Sequence, residues 1–441
     1  MMAISKREFS RRRQKLMAEM EQGSIAIVPS ASLHIRNRDT EYRFRQDSDF
    51  FYLTGFDEPD AVAVMIPGRE HGEFILFCQE RDPNLELWTG YRYGPEGACQ
   101  HFAADDAFPI GDIDEILPGL IEGRERVYYA MGRNADFDHQ LMQWVNTIRT
   151  KTRTGAQPPG EFLDLNYIVH EMRLIKSAAE IRQMQQAADI NVRAHERAIK
   201  TCKAELHEYH LEAEISHEFM QAGCRHNAYE SIVGSGKNAC IMHYTSNRDR
   251  LEAGDLVLID AGCEHEYYAS DISRTFPVNG KFSAPQRELY DLVLESQLAA
   301  IEATTVGRHF NEPHEVCVKV LTAGLVRLGL LKGDVDELVQ DEAYKPFYMH
   351  KTGHWLGLDV HDVGDYRVGG EWRQLEPGMV VTVEPGLYIA PSNTSVAKKW
   401  RGIGIRIEDD VLVTRNGPRV LTDALVKKAV DIEKLMRGRG R

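Results

Sequence analysis

The stretch LVLIDAGCEHEYYASDISRTFPV, from Leu256 to Val278, sets two aspartates into apolar surroundings. Asp260 follows Leu-Val-Leu-Ile directly, and Asp271 opens a second strand-like run. An ionised carboxylate left alone in such surroundings costs several kcal/mol. More acids recur downstream: Glu384 in MVVTVEPGLY and Glu408 in GIGIRIEDDVLVT. Histidines gather in MHKTGHWLGLDVHDVG, at His350, His354 and His361, and His243 stands in IMHYTSN. Taken singly, each has a structural reading. Asp260 can cap a turn, and Asp271 can pair with Arg274. Glu408 can sit in a salt bridge, with Asp409 and Asp410 as solvated neighbours. A lone histidine or strand-end acid is more often structural than catalytic.

The combination points elsewhere. Four carboxylates carry four negative charges and two divalent cations carry four positive ones, so burial no longer requires protonated acids. Carboxylates also bridge ions about 3.5–4 Å apart, which imidazole cannot do. An oxygen-rich set with one nitrogen favours Mn²⁺ or Co²⁺, with Zn²⁺ or Fe²⁺ as alternatives, over a cysteine-based zinc site. Water or hydroxide held between such ions is a strong nucleophile near neutral pH, so metal-assisted hydrolysis is the expected reaction class. Rival motifs fail. HEYH (207–210) and HEFMQ (217–221) are not H-E-x-x-H, no G-x-S-x-G is present, and GSGKN (234–238) lacks phosphate-loop spacing.

The elements that must position these residues can be read from periodicity. Strand alternation over 402–414 puts Ile403, Ile405 and Ile407 on one face, and Gly404, Arg406 and Glu408 on the other. Arg406 and Glu408 are therefore expected to line one cavity. Val380, Thr382 and Glu384 share a face in the same way. Asp260 ends a strand apolar on both sides, as a central strand should be. Carboxylate-x-glycine recurs, as Asp260-Ala-Gly262 and Glu384-Pro-Gly386, each followed by a strand with another acid. Two hairpins facing each other would bring four acids together. Strands are expected near 231–234, 255–260, 267–277, 379–389 and 402–414. Helices are expected over 176–202, 208–222, 284–303 and 312–329, the first with a Ser177–Glu180 capping box. This second half reads as α+β with an antiparallel sheet. Upstream, SIAIVPS, FFYLTGF, AVAVMIPG and EFILFCQ alternate as β-rich runs, and a helix follows near 136–150, suggesting a smaller α/β domain. The boundary falls near 170–175.

The bulk numbers bound the class. With 441 residues the chain is long for one core, and 43% apolar residues suffice to fill two. A net charge of −14 argues against a nucleic-acid binder. Seven scattered cysteines without C-x-x-C read as reduced thiols, most of them in cores, of a cytoplasmic protein. Arg11-Arg12-Arg13 precedes no apolar run, so a surface helix with Phe9, Leu16 and Met20 inward is expected rather than a secretory signal. No run approaches the ~18 apolar residues of a membrane span.

At the level of motifs, LVLIDAGCEHEYYASDISRTFPVNGKF, MHKTGHWLGLDVHD, VVTVEPGLYI and GIGIRIEDDVLVT resemble the pita-bread metallopeptidases, and within them the bacterial aminopeptidase P group. EYRFRQDSDFFYLTGFDEPDAV (41–62) resembles that group's creatinase-like N-terminal domain. The resemblance implies a creatinase-like domain over 1–174 and a pita-bread catalytic domain over 175–441. It implies Asp260, Asp271, His354, Glu384 and Glu408 as ligands of two divalent ions, usually Mn²⁺, with Asp271 and Glu408 bridging. By the same resemblance His243 and His361 bind substrate and move protons, and His350 lies near a proline pocket. Arg406 lines the substrate cleft, and Trp88 is an N-domain aromatic near the active site. The implied activity releases the N-terminal residue from peptides with proline second, by attack of a metal-bridging hydroxide on the Xaa-Pro bond. A homotetramer, a dimer of dimers, is also implied. Lys351 and Ser270 depart from a pattern in which glycine is common, and neither removes a ligand. Prolidase, restricted to Xaa-Pro dipeptides, is the nearest alternative. Creatinase lacks the ligands and methionine aminopeptidase normally lacks the N-domain. A non-catalytic binding protein would typically have lost part of the set.

Overall fold

The first helix of the chain, Lys6–Glu19, begins at Ser5, whose hydroxyl accepts from the Glu8 amide. Phe9, Leu16 and Met20 are buried, as the periodicity predicts. Arg12 and Arg13 are buried as well. Their guanidinium groups donate to the carbonyls of Tyr52 (3.0 Å) and Leu53 (2.9 Å), in the last turn of the helix Ser48–Thr54. That helix corrects the β-rich reading of FFYLTGF. The Asp47 carboxylate accepts from the Phe50 amide at 2.9 Å, and Gly55, at φ +67°, closes the far end, so caps at both ends override strand propensity.

The computed structural model describes residues 4–438 and divides into two compact units, one ending at Arg173 and the other beginning at Leu174. The first is built on a mixed six-stranded sheet. Its order is Asp106–Pro109, Phe74–Cys78, Val62–Met65, Ser24–Pro29, Arg126–Tyr128, Glu161–Leu163. Ser24–Pro29 pairs antiparallel to Val62–Met65 and parallel to Arg126–Tyr128. Ile25, Ile27, Val64 and Phe77 pack against Leu117, Leu141 and Val145 of the helices Ile113–Ile121 and Ala135–Thr150.

The second unit is α+β. Its long helix Ala178–Thr201 starts with the Ser177–Glu180 capping box, and the helices Glu208–Gln221, Ala284–Ala303 and Glu312–Arg327 follow. Leu256–Ala261 is the central strand between antiparallel Ile232–Ser235 and Ile272–Pro277. A second assembly pairs Val380–Val383 with Asp409–Thr414, and Gly386–Ile389 with Ile403–Arg406. The two assemblies are joined where Thr275 Oγ1 accepts from the Arg406 amide and donates to the Arg406 carbonyl, both at 3.1 Å. The Glu408 amide adds a bond to the Ser273 carbonyl at 3.1 Å.

Three runs expected as continuous strands, 267–277, 379–389 and 402–414, are interrupted, and each break falls beside an acid of the candidate site. Pro385 has no N–H to give to a ladder. The Asp271 amide donates instead to the Asp410 carboxylate at 3.2 Å. Alternation holds on both sides of the last break. Ile403, Ile405 and Ile407 enter a core with Val257, Ile259, Leu289 and Val293, each isoleucine contributing about 1.5–3 kcal/mol. Two glycines permit the close approaches this requires. A Cβ on Gly262 would stand 1.9 Å from the Ser270 carbonyl oxygen, and one on Gly353 would stand 1.9 Å from that of Thr382.

Candidate metal centre

The site forms where these interrupted strands meet a loop. His354 exchanges bonds with Thr382: its amide donates to Thr382 Oγ1 (3.1 Å), and its carbonyl accepts from the Thr382 amide (3.0 Å). The Glu384 amide donates to the Thr352 carbonyl at 2.7 Å. The histidine loop is thereby clamped along the strand Val380–Val383 and the Glu384 that follows it. A cavity of about 500 Å³ opens there. Its lining includes Asp260, Asp271, His354, Glu384 and Glu408, together with His243, His350, His361 and Arg406. Nine of the ten expected site residues therefore line one cavity. The tenth, Trp88, belongs to the other unit, on the helix Pro83–Thr89, and is 88% exposed.

One nitrogen and two acids come closest together. Donor atoms of Asp271, His354 and Glu408 all lie within 4.8 Å of one another. His354 Nδ1 donates to the Trp355 carbonyl at 2.9 Å, which leaves Nε2 facing Asp271 Oδ2 (3.5 Å) and Glu384 Oε1 (3.7 Å). That is the orientation a metal-ligating imidazole needs.

Electrostatics show what the protein leaves uncompensated. Burial pushes the Glu408 carboxyl well above its usual range, and neighbouring Asp271, Glu384 and Asp260 push it further. Burial likewise raises Asp271. Glu384 is pushed up to about 7 by burial, against the pull of His354 and Arg406. Burial lowers His354, but the Asp271 hydrogen bond and the Glu384 charge outweigh it and carry it to about 9. Burial and mutual repulsion thus disfavour the charged forms of these acids, and a divalent cation among them would favour those forms. Four carboxylates and an open imidazole nitrogen around one cavity fit a divalent metal site by their donor chemistry.

A fixed network flanks the donors. Arg406 Nη2 lies 2.5 Å from Asp260 Oδ2, Nε donates to Ser273 Oγ (2.8 Å), and Nη1 donates to the Tyr388 hydroxyl (3.0 Å). Ser273 Oγ in turn donates to Glu408 Oε2 at 2.8 Å. His350 Nδ1 lies 2.7 Å from the Lys351 carbonyl, which can only accept, so Nδ1 carries the hydrogen. His350 Nε2 is then the acceptor for the Tyr388 hydroxyl at 2.8 Å. Burial and the Arg406 charge lower this imidazole to about 4, consistent with that neutral tautomer. His361 packs edge-on against His354, with ring centres 4.4 Å apart. Burial and the His354 charge lower it too.

Two features escaped the sequence. Tyr229 places its hydroxyl against Asp260 Oδ1 (2.5 Å) and Asp271 Oδ1, and no periodicity marks it. Asp409 and Asp410, the solvated neighbours of the structural reading, are buried at 0% and 1% exposure. Arg274 pairs with Asp409 at 2.7 Å rather than with Asp271.

Comparison with known proteins fixes the family. The model for metallopeptidase family M24 matches residues 182–415. The chain belongs to metallopeptidase family M24. A second family model, the aminopeptidase P N-terminal domain, matches residues 9–128 of this M24 member. The chain is 48% identical to the Xaa-Pro aminopeptidase of Escherichia coli (strain K12), over 99% of both chains. It resembles the structure of the Pseudomonas aeruginosa aminopeptidase PepP with a TM-score of 0.98 at 63% identity, covering 99% of each chain. Zinc-substituted E. coli aminopeptidase P in complex with product superposes with a TM-score of 0.97 at 47% identity, again over 99% of each. The whole chain, and not the catalytic half alone, thus follows aminopeptidase P.

Proposed function

We propose that this M24 protein is a metal-dependent Xaa-Pro aminopeptidase, which removes the first residue of peptides carrying proline second. The observation that supports this most directly is that all five candidate donors line one cavity, in a chain that matches an Xaa-Pro aminopeptidase over 99% of both lengths. Asp260, Asp271, His354, Glu384 and Glu408 would hold two divalent ions, Mn²⁺ by preference, with Asp271 and Glu408 shared between them. Such ions, when bound, polarise a carbonyl and make bound water strongly nucleophilic near pH 7.

The chain's own groups supply selectivity. A bond to proline is a tertiary amide with no N–H and a fixed φ. A peptidase that relies on that N–H cannot grip it, so shape and carbonyl contacts must serve instead. His243 and His361 stand on the cavity wall to hydrogen-bond the scissile carbonyl and to pass a proton to the departing proline nitrogen. His350, fixed by Tyr388 and the Lys351 carbonyl, lines the place for the proline ring. Arg406 orients Asp260 and, through Ser273, Glu408. Trp88 contributes to substrate binding in this reading. Peptides are the partners, in a cytoplasmic homotetramer; no helix among the described residues is long and apolar enough to cross a membrane. The prolidase alternative is not favoured, since the full-length likeness runs to the aminopeptidases.

The test is hydrolysis of an Xaa-Pro-Yaa tripeptide by metal-stripped protein, with Mn²⁺, Co²⁺ and Zn²⁺ restored separately. Metal-dependent release of the free first residue is expected. Cleavage confined to Xaa-Pro dipeptides, or no cleavage with any ion, overturns the reading.

A further inference from the structure

Two fixed cations line the cavity, Arg406 and Lys351. They differ in what engages them. Arg406 is 4% exposed, and its three nitrogens donate to Asp260, Ser273 and Tyr388. Lys351 is exposed, and its ammonium meets one hydrogen-bond acceptor among the described residues, Asn311 Oδ1 at 3.4 Å. The Asn311 amide is held in turn by a bond from Nδ2 to Glu315 Oε1 at 2.8 Å. The Trp372 ring centre lies 5.9 Å from Lys351 Nζ, and Arg367 stacks 4.2 Å over the same ring. An ammonium has three donors, so at least two of those on Lys351 have no protein acceptor.

The acids and the lysine of the cavity differ in exposure. Asp271 and Glu408 are 5% and 1% exposed, while Lys351 reaches solvent. On the reading above, on which this inference rests, only one residue is removed. The N-terminal residue then lies against the buried acids, and the chain beyond proline leads toward solvent. Lys351 follows His350 in the cavity lining and is open to solvent, on the side toward which that outgoing chain leads.

We propose that Lys351 is a specificity-determining residue that engages a carboxylate carried by the substrate just beyond proline. Two sources share that chemistry: the side chain of an acidic third residue and the terminal carboxylate of a tripeptide. A partly exposed pair of this kind is worth up to about fivefold in kcat/KM, and salt weakens it.

The experiment measures kcat/KM for manganese-loaded full-length protein on four peptides. Xaa-Pro-Glu and Xaa-Pro-Gln, both amidated, test the side chain. Xaa-Pro-Gln with free and amidated ends tests the terminus. Wild type is compared with Lys351→Gln and Lys351→Glu. The expected result is preference for at least one carboxylate form in wild type, a ratio near one in Lys351→Gln, and inversion in Lys351→Glu. Ratios identical in all three proteins, with the peptides cleaved, overturn the role of Lys351 and leave the aminopeptidase reading standing. Failure to cleave any of the four, even neutral amidated Xaa-Pro-Gln, overturns both.

Discussion

Asp49 in the first unit and the acid cluster in the second face the same problem with opposite solutions. Asp49 is 4% exposed, yet Arg173 Nη1 and Arg133 Nη1 each reach it at 2.7 Å, and His170 Nε2 lies 3.4 Å away. Burial would raise its carboxyl, but His170 and Arg173 outweigh that and drive it well down. In the second unit burial wins, and Asp271, Glu384 and Glu408 go up. One residue past Glu408 the first solution returns. Burial raises Asp409, but Arg274 and Lys427 bring it down to about 2. Asp49 and Asp409 are thus neutralised by side-chain cations, while Asp410, buried beside Asp271, is raised like the acids of the cavity. Around the cavity the clustered acids and His354 offer the donor chemistry that a divalent ion takes.

The sharpest way to break this contrast is Asp271→Ala. Loss of about 10³-fold or more in kcat is expected with an unchanged circular dichroism spectrum, roughly 4 kcal/mol of transition-state stabilisation. Near-normal turnover would remove Asp271 from the metal set. Asp49→Ala should do the reverse. It leaves Arg173, at 2% exposure, without its acid, so denaturant unfolding should show a loss of about 3 kcal/mol, while kcat changes little.

Manganese should then separate the two sites. At a hundred times its Kd it adds about 2.7 kcal/mol to chelator-stripped wild type, read as a rise in Tm. Asp49→Ala should keep that rise and Glu408→Gln should lose it. Acid gives the smallest effect, at most about 1.4 kcal/mol per pH unit for one proton. A carboxyl depressed in the folded state stabilises fully above its unfolded value of about 3.9 and loses that contribution as pH falls through the folded value. Wild type should therefore lose its advantage over Asp49→Asn below about pH 4. A constant difference down to acid unfolding would show that Asp49 is not held ionised.

Much of the site could be read from the chain because it depends on local order. Alternation alone separates Ile405 from Arg406 and Ile407 from Glu408, and a side chain's face on a strand is decided by its immediate neighbours. Ser177 and Glu180 mark a helix start by the same kind of short-range rule. What was hidden depends on distant partners. Asp409 looks solvated in IEDDV until Arg274, 135 residues earlier, is brought against it. Arg12 and Arg13 look like a surface run until the helix Ser48–Thr54 offers them its last carbonyls. FFYLTGF carries β-prone residues, and only its capping residues disclose a helix. Tyr229 had no local signal, because its meaning lies in two acids 31 and 42 residues away.

The reciprocal bonds between Thr275 and Arg406 have a consequence for biosynthesis. They join segments 131 residues apart, and Arg406 reaches Asp260 across 146. While a ribosome is still adding the last strands, Asp260 and Asp271 have emerged but Glu384 and Glu408 have not. A chain that has not yet reached Glu384 and Glu408 therefore lacks two of the four acids that line the cavity.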